Sequence, residues 1–123
     1  MPYQFFNINP DKNKIGDCVI RAVAKATGKE WEEVYKDLCA IGLEQHRMPN
    51  DKEVYTAYLT KMGWKKMPMP RNGRKRMTIK QFSQEQKGVY IISIARHLTV
   101  IDNGTLYDIW NCENRCMGNY WEK

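Results

Sequence analysis

From Val19 to Ala26 the apolar residues Val19, Ile20, Val23, Ala24 and Ala26 recur at helical spacing. They lie between Asp17, a residue type suited to an N-cap, and Thr27-Gly28, a stop signal. The pattern predicts a helix with Cys18 in its first turn. A second stripe, Trp31, Val34, Tyr35, Leu38 and Ile41, predicts a helix from about Lys29 to Ile41 with Gly42 as its end. A third helix is predicted from Asn50, where Glu53 completes an Asn version of the capping box. Its inward face is Val54, Tyr55, Tyr58, Leu59 and Met62, and Gly63 stops it. The first fifteen residues, rich in Asn, Pro and Lys behind an aromatic start, read as an extended arm.

The texture changes after Gly63. Trp64 to Met69 reads as a short strand or extended connection bounded by Pro68 and Pro70, and Thr78 with Gln81 opens a brief helix through Gln86. After Gly88, Val89 to Ile94 is β-branched and aromatic, and this β run continues through Ala95 to Ile101. A second strand covers Leu106 to Asn111. Between them Asp102-Asn103-Gly104-Thr105 centres on Asn-Gly, the signal for a two-residue type I′ hairpin. Tyr120 and Trp121 in the tail are expected to pack, or to pair as an edge strand. The fold class is α+β, with N-terminal helices packed on a small antiparallel sheet. At 123 residues, without repeat or linker, the chain is expected to form one domain, 1–123.

Composition narrows the function classes. No segment approaches the roughly 18 consecutive apolar residues of a membrane-spanning helix. The N-terminus has no basic segment followed by a long apolar one, so a cytoplasmic location is expected, in a bacterial cell or phage-infected host. Cys18, Cys39, Cys112 and Cys116 are then expected as free thiols. Cys112 and Cys116 have a loose metal-like spacing, but no second Cys or His pair near them in sequence supplies four ligands, so neither metal nor cofactor is expected. The net charge of +6 concentrates between residues 65 and 80, in Lys65, Lys66, Arg71, Arg74, Lys75, Arg76 and Lys80. Such a patch either binds phosphates or is a solvated loop. His46, in a polar loop, is expected to be exposed.

The hairpin brings three reactive residues into one argument. With Asn103-Gly104 as the loop, Asp102 pairs with Thr105, Thr99 with Asp108 and His97 with Trp110, so His97 and Asp108 are diagonal neighbours on one face. Diagonal positions lie about 7–8 Å apart at the backbone, a span that inward-leaning His and Asp side chains close. Cys18, in the first turn of a helix, lies near unpaired N–H groups and the positive end of the dipole, which favour thiolate. His97 then acts as base and later acid, Asp108 fixes its tautomer, and backbone N–H groups stabilise an oxyanion. Each residue alone has a plainer reading. Cys18 is also a small residue at a helix start, His97 a core histidine satisfied by Asp108, and Asp108 a turn cap.

The order of these parts resembles the papain-like cysteine peptidases. Gly16-Asp17-Cys18-Val19-Ile20-Arg21-Ala22 is similar to the Asp-Cys helix start of the bacteriocin-processing peptidases. Arg96 to Ile101 and Leu106-Tyr107-Asp108 are similar to their His and Asp strands. The overall pattern also resembles small proteins of Gram-positive bacteria and their phages. The resemblance implies Cys18 as nucleophile, His97 as base, Asp108 as orienter, and hydrolysis of a peptide, isopeptide or related amide bond in a peptide or protein substrate. It departs at the position six before the nucleophile. These enzymes commonly carry a Gln oxyanion donor there; this chain has Lys12, with Asn13 next to it as the candidate side-chain amide, and Asn9 or Asn7 if the arm folds back. The alternative function is noncatalytic binding of nucleic acid or an acidic protein through the basic 65–80 segment, above all Arg74, Lys75 and Arg76.

Overall fold

The computed structural model describes residues 3–123. In chain order the elements are β1 (Tyr3–Phe5), α1 (Cys18–Thr27), α2 (Trp31–Gln45), α3 (Lys52–Lys61), β2 (Lys65–Met67), β3 (Arg71–Asn72), β4 (Lys75–Arg76), α4 (Ile79–Glu85), β5 (Val89–Ile94), β6 (His97–Asp102), β7 (Thr105–Asp108) and β8 (Tyr120–Glu122). The run read as one stretch from Val89 to Ile101 is therefore two strands. They are antiparallel and joined by a turn at Ala95 and Arg96, where Arg96 takes a left-handed φ of 56°. Neither residue is a usual turn former, so the sequence hid the break.

The sheet expected to be small and antiparallel is six-stranded and mixed, in the order β1-β7-β6-β5-β8-β2. Among the described residues its one parallel pairing is β1 with β7, made by the N-terminal arm. Trp121 lies on β8 between β5 and β2, inside the sheet rather than at its edge, and is fully buried. Both faces are covered. Ile91, Leu98 and Val100 pack with Val19, Val23, Leu38, Val54 and Leu59 of α1, α2 and α3. Ile92, Ile94, Ile101 and Leu106 pack with Ile79 and Phe82 of α4 and with Cys112 and Met117 of the tail. Burial on two faces explains why the central strands read as continuous apolar runs. Among the described residues, no helix is long and apolar enough to cross a membrane.

Three helix ends differ in how they match the sequence signals. The Thr78 and Gln81 capping box forms as expected. The Asn50 and Glu53 box does not: α3 begins after Asp51, whose side chain makes no cap bond, and Asn50 lines a surface groove. Gly42 does not end α2, which continues to Gln45 and stops at exposed His46 in the left-handed conformation. Gly42 serves a close approach instead. A Cβ there would lie 2.7 Å from the Arg47 carbonyl oxygen, a backbone atom with little room to move. Gly to Ala within a helix ordinarily gains about 1 kcal/mol. Gly42→Ala is expected to lose about 1–3 kcal/mol in urea unfolding, because overpacking against backbone outweighs propensity. A gain would show that the 47–49 loop yields freely.

Candidate active site

Two starts coincide in space. β6 begins at His97 because the chain turns at Ala95 and Arg96, and α1 lies against β6 with Val19 over the Leu98 cluster. The first residue of the helix therefore meets the first residue of the strand. The β6–β7 register is the expected one, with Asp102 opposite Thr105, Ile101 opposite Leu106 and Val100 opposite Tyr107. Asn103 and Gly104 have positive φ of 50° and 82°, as a type I′ turn requires. One step further this register sets Asp108 diagonal to His97, and the His97 Nε2 to Asp108 Oδ2 distance is 2.6 Å. Nε2 is thereby engaged, and Cys18 and His97 line the same groove, close enough for the imidazole to lower the thiol. The Trp110 ring packs on that of His97, with centroids 5.2 Å apart.

The Asp108 carboxylate has a second partner that the sequence reading left without a role. Arg21 Nη1 donates to Asp108 Oδ1 at 2.8 Å, and Arg21 Nε donates to Asp17 Oδ1 at 2.8 Å. All three residues are buried. Asp17 sits at the N-cap position but its side chain does not cap α1. Its other oxygen instead accepts from Asn9 Nδ2 at 3.2 Å and Trp31 Nε1 at 2.9 Å. The arm thus joins the site through buried Asn9. The diversion of Asp17 also matters at the helix end. The first helical bond runs from the Arg21 N–H to the Asp17 carbonyl, so the N–H groups of Cys18, Val19 and Ile20 have no acceptor within the helix. The spacing of Asp17 and Arg21, four apart with a cation in an apolar stripe, was the available signal.

Burial would raise the Cys18 thiol, but hydrogen bonds from His97 and the Leu98 backbone, with the charges of His97 and Arg21, bring it below its ordinary value. Burial would likewise lower His97. The bond to Asp108, with Cys112 and Cys18 beside the ring, pushes it up to about 11. Asp108 is held below the usual carboxylate range: its burial opposes ionisation, and the His97 bond and charge outweigh that. These directions all favour one charge pattern, a thiolate beside an imidazolium beside a carboxylate.

Cys18 and His97 open onto a groove of about 360 Å³, whose other walls include Asn50, Lys52, Tyr55 and Arg96. Asn13 does not line it. That residue is exposed, its carbonyl accepts from Asn7 Nδ2, and its N–H donates to Asn9 Oδ1 at 3.4 Å. Lys12 turns into the arm, donating to the Asn7 carbonyl at 2.9 Å. Cys112 was not expected near the site, yet its sulfur, the His97 ring and the Asp108 carboxylate lie within 4.8 Å of one another. Arg21 on the same carboxylate opposes a metal cation there, and the His97–Asp108 hydrogen bond already occupies both groups. All four cysteines are free.

The basic segment does not line the Cys18 groove, although Arg76 shares a separate depression with Ile94, Ala95 and Trp110. Arg71 to Arg76 forms the exposed β3–β4 hairpin, which the sequence showed only as a connection. Arg74 and Lys75 face solvent, whereas Arg76 donates twice to the Met117 carbonyl, at 2.8 and 3.2 Å. No family model, curated protein or solved structure matches the chain.

Proposed function

We propose that the protein is a papain-like thiol hydrolase that cleaves a peptide, isopeptide or related amide bond through a Cys18 acyl-enzyme. The observation that carries this reading is His97 bonded to Asp108 Oδ2 at 2.6 Å and facing, with Cys18, one groove. The Cys18 thiolate attacks the carbonyl carbon, and the uncapped N–H groups at the start of α1 receive the developing oxyanion. The His97 imidazolium then protonates the leaving amine as the C–N bond breaks. Neutral His97 next removes a proton from water, which attacks the thioester and releases the acid, returning the thiolate and imidazolium. Asp108 keeps the ring oriented in both steps. A second amine in place of water would give acyl transfer by the same steps.

A neutral alkylating reagent tests the nucleophile before any substrate is known. At pH 7, iodoacetamide is expected to modify Cys18 about tenfold faster than a free model thiol, with the site identified by peptide mass. His97→Ala is expected to return the rate to that of an ordinary thiol. Equal slow modification in both proteins would exclude an activated Cys18.

A further inference from the structure

We infer that the groove beside Cys18 takes a peptide segment carrying a carboxylate next to the bond that is cut. The inference rests on the thiol hydrolase reading and concerns its substrate class. The charges lining the groove decide it. The Cys18 and His97 pair contributes no net charge, since one is anionic and the other cationic. The remaining charged side chains on the walls are Lys52 and Arg96, and among the described residues no Asp or Glu lines the groove. Lys52 and Arg96 are both exposed. Asp51, next to Lys52, lines a different depression with the α2–α3 loop. The unbalanced charge on the walls of the groove is therefore positive.

Arg96 adds a second observation. It holds a left-handed φ of 56° in the two-residue turn before His97, a conformation that Gly or Asn takes more cheaply. A bulky cation is kept there at a conformational cost, on the wall of the groove. Lys52 Nζ has one neutral partner, the Asn119 side-chain oxygen at 3.4 Å. Among the described residues neither cation is paired with a carboxylate, so neither must break an ion pair to receive one. An acidic side chain and a free C-terminal carboxylate both offer that chemistry.

Competing alkylation of Cys18 by iodoacetate and iodoacetamide reads the field directly. Relative to the same ratio for a free model thiol, the protein is expected to favour the anionic reagent by about three- to tenfold at low salt. Lys52→Gln with Arg96→Asn should abolish the preference; Asn suits the left-handed turn, so the variant is expected to fold. Salt at 0.5 M should also collapse it. A ratio equal to that of the model thiol, or unchanged in the double variant, overturns the inference. The absolute rates test the thiolate and the ratio tests the anion site, so either can fail alone. Protection of Cys18 by acetyl-Gly-Glu-amide or by acetyl-Gly-Gly with a free carboxylate assigns the side chain or the terminus. Protection by neither at millimolar concentration counts against a carboxylate site.

Discussion

Arg21→Met is expected to remove about 3–5 kcal/mol of folding stability, measured by urea unfolding at neutral pH, and to slow modification of Cys18. Met preserves length and apolar contact, so the loss isolates the guanidinium. The Asp17 and Asp108 side chains are each only 2% exposed, and Arg21 is the cation that faces both. Without it two carboxylates share a buried region. The residual partners limit the damage: Asp108 keeps His97 and the Ile109 N–H at 2.7 Å, and Asp17 keeps Asn9 and Trp31. The lower end of the range is therefore favoured. Even that is a large share of the roughly 5–15 kcal/mol typical of a whole domain. A loss below about 1 kcal/mol would mean that water replaces the guanidinium at both carboxylates.

The fork geometry explains why this position holds Arg rather than Lys. Nε and Nη1 reach separate carboxylates, 2.8 Å each, which a single ammonium cannot match with the same directionality. By engaging Oδ1 of Asp108, Arg21 leaves Oδ2 to face His97, and so acts on the imidazole only through the carboxylate. It is a positioning residue. Arg21→Lys is expected to recover part of the stability but less of the labelling rate, because charge returns without the fixed orientation.

What the sequence revealed follows from which forces were local. The Asn103-Gly104 turn is dictated by two residues, and the register it sets carried the pairing of His97 with Asp108 across the hairpin. Helix α1 was legible because its stripe and boundary signals agree within a few residues, and α4 because its capping box is local. The break at Ala95 and Arg96 was not legible. Continuous apolar patterning comes from burial on both faces, and the turn uses residues without a turn preference. Gly42 misled for a related reason: a loop later in the chain crosses it, and only that approach requires the missing Cβ. Arg21 and Cys112 show the same limit at the site. Their roles depend on Asp108 and His97, which are distant in sequence from Arg21 and are joined to Cys112 only by the bend after β7. Local pattern places the thiol and the hairpin, while long-range packing decides which charges stabilise them.

Across pH 6.5 to 9.0 the Cys18–His97 pair is expected to leave wild-type stability flat, whereas Cys18→Ala loses up to about 3 kcal/mol. His97 is raised from 6.5 to about 11, so its contribution is full below 6.5 and is lost as pH climbs toward 11. Cys18 is lowered from 9.0, so its contribution is full above 9.0 and is lost as pH falls through its folded value. Between those limits the unfolded pair holds one proton, on sulfur, and the thiolate and imidazolium pair of the proposed mechanism also holds one, on the imidazole. Equal proton counts give no slope. In Cys18→Ala the unfolded chain holds none there, while folded His97 keeps its proton beside Asp108. Stability then falls by about 1.4 kcal/mol per pH unit, fading as His97 nears its own titration without the thiolate. Urea midpoints of both proteins at pH 6.5 and 9.0 give the difference, and ionisations common to the two cancel. Parallel declines would identify a neutral thiol. A flat wild type beside a falling variant would show that the folded pair holds a single proton across this range, as the thiolate and imidazolium pair does, independently of any substrate.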